Sequence, residues 1–240
     1  YVEWETSRRG KFRTLLKYNE TAFGNTNEGE TSIDYDDTSL EFQYQYSLSN
    51  SRKDFLTTKL GYARYRNDFL ESAFGASSRD RIPVSLMYQR SISEKTYYSA
   101  TVGAVRIESL ANGVSDKTEP TYGLFLSSTA ARSSGRIGVQ QYIQATSGAS
   151  LSLTRQLLAS YQYNYTRRQK LGIQLTYFEV DPIAEGSSLD LGRKYSYLSA
   201  APSWSWEVNQ NLSTSVSYVY RDYDEEVLGQ ADSHGFKISL

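Results

Sequence analysis

Leu40-Glu41-Phe42-Gln43-Tyr44-Gln45-Tyr46-Ser47-Leu48 alternates without a miss. Leu40, Phe42, Tyr44, Tyr46 and Leu48 share one parity; Glu41, Gln43, Gln45 and Ser47 share the other. Successive side chains of a β-strand point to opposite faces, so this segment predicts a strand with one apolar and one polar side. A helix, at about 3.6 residues per turn, would smear both sets around its circumference.

The same period spreads outward from this stretch. Phe12, Thr14, Leu16 and Tyr18 oppose Arg13 and Lys17; Leu56, Thr58, Leu60 and Tyr62 oppose Thr57 and Lys59. Ile82, Val84, Leu86 and Tyr88 oppose Arg81, Ser85 and Gln89. Further runs start near Tyr98, Tyr122, Ile137, Leu157, Leu171, Leu198, Leu212 and Phe236. The pattern predicts about twelve strands (12 to 14), with Tyr1–Thr6 as a thirteenth or as the start of the first. Short connections (Ser49–Arg52, Ser93–Lys95, Ala131–Gly135, Thr166–Lys170, Val208–Asn211) alternate with long ones. The long ones are Glu20–Tyr35, Asn67–Asp80, Ser109–Thr121, Ala145–Gln156, Asp181–Arg193 and Asp222–Ser233. Tight turns on one side and longer loops on the other are the rhythm of an outer-membrane barrel. No linker divides residues 1–240, so a single domain is expected.

Composition narrows the functional classes. The 240 residues carry 26 Lys+Arg against 27 Asp+Glu, a net charge of −1, which disfavours a nucleic-acid partner. Zero Cys excludes a disulfide framework, a thiolate zinc site and a Cys nucleophile, and a single His excludes multi-His metal sites. No cofactor or metal is expected. Apolar runs fall far short of the roughly 18 residues of a membrane-spanning helix. The opening Tyr1-Val2-Glu3-Trp4-Glu5 has neither the basic start nor the apolar core of a signal peptide, so a mature product or a never-exported chain is expected.

A soluble sandwich also alternates, but three features favour a membrane-spanning barrel. The candidate strands run about 10 to 13 residues, where soluble strands average about 5 to 6 and a tilted bilayer crossing needs about 9 to 11. The polar parity is Ser, Thr, Gln, Gly and scattered charge, with Leu15, Phe125, Leu158 and Phe178 as its large apolar exceptions. Tyr44, Tyr46, Tyr62, Tyr163, Tyr165, Trp204, Trp206, Tyr218 and Tyr220 sit near strand ends, as an aromatic girdle at a lipid interface would. The expected fold is therefore an all-β, antiparallel transmembrane β-barrel of the bacterial outer membrane.

Several stretches also carry a family likeness. Leu157–Arg168, Leu171–Asp181, the hairpin Tyr195–Tyr223 with its Asn209-Gln210-Asn211 turn, and the closing Asp232–Leu240 resemble the outer-membrane β-barrel proteins of exopolysaccharide loci, the β-barrel porin type 2 family. The resemblance covers about half of the chain. Such barrels usually end on an aromatic residue, whereas this sequence closes on Leu240, in phase with Phe236 and Ile238. The resemblance implies a non-enzymatic component of polysaccharide export or surface assembly, and it brings no catalytic residues.

Candidate site residues follow from parity. Arg13, Lys17, Lys59, Arg81, Arg136, Arg221 and Lys237 fall on the polar parity, facing Glu41, Glu3 and Glu5. Two readings follow: a mildly cationic lumen that favours anionic polysaccharide, or a plugged lumen whose charges pair across it while the barrel anchors a periplasmic or surface protein. The long loops collect Glu28, Glu30, Asp34, Asp36, Asp37, Asp68, Glu71, Asp181, Glu185, Asp190, Asp222, Asp224, Glu225 and Glu226, without the spacing of a calcium loop. Outer-membrane lipid and lipopolysaccharide are the expected surroundings. Asp232-Ser233-His234 has the residue types of a hydrolase triad, but neighbours on an extended chain point opposite ways. It is expected at a loop-to-strand junction.

Overall fold

The computed structural model describes residues 1–21, 35–51, 53–67, 79–109, 116–145, 151–183, 194–209, 212–226 and 229–239. Among them are thirteen strands: β1 (Val2–Glu5), β2 (Gly10–Thr21), β3 (Tyr35–Ser47), β4 (Asp54–Asn67), β5 (Arg79–Ser93), β6 (Thr96–Ser109), β7 (Lys117–Thr129), β8 (Ser133–Ala145), β9 (Leu151–Asn164), β10 (Gln169–Pro182), β11 (Tyr195–Asn209), β12 (Leu212–Glu225) and β13 (Gly229–Ser239). They form one antiparallel sheet in strict chain order from β1 to β13. No described helix is long and apolar enough to cross a membrane, which bears on helical spans only. The all-β antiparallel class is as the alternation predicts, and Tyr1–Thr6 supplies a strand of its own.

Connections alternate between a turn end (residues 6–9, 48–53, 94–95, 130–132, 165–168 and 210–211) and a loop end. The strands run further toward the loop end than the sequence pattern suggests. The predicted connection Asp222–Ser233 is almost entirely strand, since β12 reaches Glu225 and β13 begins at Gly229, whose φ of 81° suits glycine. Charge after an aromatic ends the apolar parity there, not the ladder: Asp222 pairs with Asp232, and Tyr223 with Ala231. For the same reason Asp232, Ser233 and His234 lie within β13 rather than at its mouth.

Register ties the two parities into continuous rows. Val2, Thr14, Phe42, Leu60, Val84 and Ala104 form one lateral row; Glu3, Arg13, Gln43, Lys59, Ser85, Gly103 and Thr121 form the next on the other face. The apolar face is the exposed one. Val102 is 63% exposed, Leu124 54% and Ile137 53%, while Thr57 and Ser47 on the polar face are buried. The sheet also curls: polar-face residues from Tyr97 on β6 round to Ser217 on β12 line a single cavity of about 650 Å³. The polar face is therefore concave and the apolar face convex.

At the loop end the sheet laps over itself. Pairing of β7 with β8 covers only Tyr122–Thr129 against Ser134–Gln141. Beyond it, Lys117–Thr121 stays paired with β6 and Tyr142–Ala145 stays paired with β9. Pro120, which has no N–H for a ladder, stands in the split, where the Gln141 side-chain amide donates to its carbonyl at 2.8 Å. Val105 and Ile107, of polar parity, bury against Leu151, Leu153 and Ile183, of apolar parity, with Ile143 alongside. Opposite faces of one sheet meet only if the β6–β7 flap lies outside the β8–β10 flap.

Between the flaps and the turn end, the Phe125 ring of β7 lies over Gly138 of β8, its cross-strand partner. A side chain at Gly138 would occupy the ring's own volume. The Arg136 guanidinium rests on the same ring, 4.9 Å from its centre. Valine has the higher strand propensity, yet overpacking dominates here. Gly138→Val is expected to lower the unfolding free energy in detergent by about 1–3 kcal/mol, read as a shift in denaturant midpoint.

Candidate functional site

The concave face has three zones, each set by the residues that alternation turns inward. The first, on β1 to β5, is charged and self-paired. Arg13 meets Glu3 at 2.7 Å, Lys11 lies 3.4 Å from Glu3 and 3.5 Å from Glu5, and Lys59 lies 3.8 Å from Glu41. Arg81 of β5 donates to Asp37 of β3, reaching across β4 above the small, buried Ala63.

The second zone is the cavity at the turn end. Ser127, Ser134, Ser160, Ser203, Ser205 and Ser217 line it, with Arg136 and Lys170 as its cations. Small hydroxylated side chains leave the interior open where Leu or Phe would fill it. Lys170 pairs with Glu207 at 3.2 Å.

The third zone, toward the loop end, is aromatic. Gln140, Gln156, Phe178, Tyr197 and Tyr223 form one lateral row; Tyr142, Thr154, Val180, Tyr195 and Glu225 form the row above. Phe178 stacks on Tyr197 at 4.9 Å between ring centres and meets Tyr195 edge-on at 6.0 Å, and Tyr195 lies 5.5 Å from Tyr223. The Tyr223 hydroxyl donates to the buried Glu225 at 2.8 Å. Gln140 donates to Gln156 at 2.7 Å.

Register puts all seven predicted basic residues on the concave face. Arg13, Lys59 and Arg81 are held by Glu3, Glu41 and Asp37. Lys17, Arg136, Arg221 and Lys237 have no acid within ion-pair distance among the described residues. Lys11 and Lys170 join the concave set although the sequence pattern did not single them out. The aromatic zone was missed for a related reason: Tyr195 and Tyr197 precede the apolar run at Leu198, and Tyr223 falls in a predicted loop. Their spacing of two ahead of Ser199 was the available signal.

The predicted girdle residues all take the convex parity. Tyr44, Tyr46, Tyr163, Tyr165, Trp204 and Trp206 cluster at the turn end; Tyr62 and Tyr220 stand toward the loop end, with Tyr218 between. Beyond the apolar rows at the loop end, the convex face turns ionic. Arg64 meets Asp80 at 2.8 Å, Arg106 meets Glu108 at 2.9 Å and Asp116 at 3.0 Å, and Arg155 meets Asp181 at 2.7 Å and Glu179 at 3.3 Å. Lys194, just before β11, lies 3.3 Å from Asp181, which holds its ammonium above the usual lysine range. Asp36, Asp37, Asp181, Asp222, Asp224 and Glu225 are strand residues, while Glu28, Glu30, Asp34, Asp68, Glu71, Glu185 and Asp190 lie outside the described residues. His234 faces the convex side between Tyr218 and Tyr220, 3.3 Å from Asp232, while Ser233 pairs with Arg221 on the other face.

No family model matches this sequence, and no curated protein matches it. Two solved structures are similar in shape. One is an outer membrane channel from Pseudomonas putida F1, at 9% identity and a TM-score of 0.46, with 98% of this chain and 94% of that one covered. The other is the open form of the ferric-catecholate import receptor Fiu from E. coli K12, at 11% identity and a TM-score of 0.44, with 99% of this chain and 59% of that one covered.

Arg81 is nine-tenths buried and its Nε has no partner among the described residues, so Asp37 is its counterion. Asp37→Asn strands that cation and is expected to cost about 1–3 kcal/mol of stability in detergent. Adding Arg81→Gln should recover part of the loss. Strictly additive losses in the double-mutant cycle would show that the pair is not coupled.

Proposed function

We propose that this chain is a β-barrel of the bacterial outer membrane that passes a solute along its concave face, without enzymatic activity. The observation that carries the reading is the exposed apolar convex face. Soluble monomers rarely expose a contiguous apolar patch beyond a few hundred Å², yet here Leu60, Val84, Val102, Leu124, Ile137, Leu171 and Ile173 are all exposed on one side. The belt has the right height. On β10 it lies between Gln169 and Glu179, ten residues apart. That is about 33 Å along the strand and about 25 Å after a tilt of about 40°, the height of an outer-membrane apolar band. The ionic rim at the loop end and the rings at the turn end mark its two borders, where lipopolysaccharide and headgroups would meet the protein.

The finer reading is export of a polysaccharide or another surface-assembly component, and Arg136, Arg221, Lys17 and Lys237, which meet no acid among the described residues, suit an anionic one. A second reading is a structural anchor for a protein partner. The self-paired zone of Glu3, Arg13, Glu41, Lys59, Asp37 and Arg81 favours it, because charges that satisfy one another attract no solute. The separation of Ser233 and His234 onto opposite faces supports the non-enzymatic reading over a lipid hydrolase.

Planar-bilayer recording of refolded, heat-modifiable protein under a salt gradient separates the readings. The channel reading expects steady conductance with weak anion preference, and Arg136→Glu should shift the reversal potential toward cations. Silence from demonstrably folded protein would leave the anchor.

A further inference from the structure

We propose that the aromatic zone and Arg221 together form a binding site for an acidic sugar residue, such as a uronate within a polysaccharide. The inference rests on the channel reading above and names the chemistry of its cargo.

Three observations converge on one patch of the concave face. Phe178, Tyr195, Tyr197 and Tyr223 are all partly exposed there, on three adjacent strands. Ring faces carry negative charge density, and the C–H face of a pyranose is weakly positive and apolar, so a sugar ring lies flat on such a surface. Next, among the described residues no hydrogen bond engages the Tyr195 or Tyr197 hydroxyl, and a phenol O–H can both donate to and accept from sugar hydroxyls.

Arg221 supplies the third. The row directly below Phe178, Tyr197 and Tyr223 is Leu158, Thr176, Ser199 and Arg221. Arg221 stands two residues before Tyr223 on the same face, about 7 Å along the strand, and is exposed, with no acid in ion-pair range among the described residues. A guanidinium binds a carboxylate bidentately, and about 7 Å spans one sugar ring and its exocyclic carboxyl. Ser199 and Thr176 add hydroxyl partners between the two. The nearest acid on the same face of β12, Glu225, is buried and accepts from Tyr223, while Asp222 and its partner Asp232 take the other face. A neutral saccharide would use the rings and leave the guanidinium idle; a bare anion would use the guanidinium and ignore the rings.

The test is calorimetric titration of the refolded protein in detergent with tetragalacturonate, and with maltotetraose as the neutral control. Galacturonate should bind at least about tenfold more tightly than the control and weaken with salt. Arg221→Gln should remove that preference and leave residual weak binding, while Tyr197→Ala should weaken both sugars. Heat-modifiability on gels confirms that each variant folds. Equal affinity for the two sugars, no binding of galacturonate, or an unchanged Arg221→Gln titration would each overturn the proposal. The titration needs no open pore. Binding by a protein silent in bilayers overturns the channel reading alone, and conductance without binding overturns this site alone.

Discussion

Strand register is the constraint on which everything else here depends. Because side chains alternate with a period of two, a slip of one residue between β2 and β3 would carry Arg13 and Lys17 to the convex face and Phe12 and Leu16 to the concave one. No single ion pair could offset such an exchange. The rows of apolar residues and the rows of charges are therefore one decision, repeated from strand to strand. In lipid the ladder is obligatory as well, because a backbone group left unpaired there costs several kcal/mol.

On that lattice the concave face divides by height and by side. Toward the turn end small serines leave a cavity; toward the loop end rings replace them. Across the sheet, Glu3 and Arg13, Glu41 and Lys59, and Asp37 and Arg81 satisfy one another on β1 to β5, whereas Arg136 and Arg221 on β8 and β12 face rings and hydroxyls instead. The lap between β7 and β8 adds a small apolar core above the belt, where Val105 and Leu151 seal two flaps that the β7–β8 ladder no longer joins.

Alternation made the fold class, the strand positions and the orientation of the seven basic residues legible. It did so because parity is a local property of sequence, visible in Leu40–Leu48 alone. Contacts between strands were not legible. The Asp37–Arg81 pair joins residues 44 apart across an intervening strand, and nothing in either local pattern announces the other. The lap was hidden because it sets one parity against the other. The strand ends around Asp222–Ser233 were misplaced, since Asp222 and Asp224 look like loop residues and are the rim of a strand. Tyr195, Tyr197 and Tyr223 went unread as a group for that reason.

Thirteen hairpin-linked strands also fix a direction. β1 and β13 both run from the loop end to the turn end, so their outer edges are codirectional. A seam formed between those two edges would be a parallel ladder within an otherwise antiparallel wall. A second copy inserted in the same sense could offer only codirectional edges too, which makes symmetric antiparallel fusion of two such sheets geometrically impossible. Only a strand travelling from the turn end to the loop end can satisfy both edges antiparallel at once.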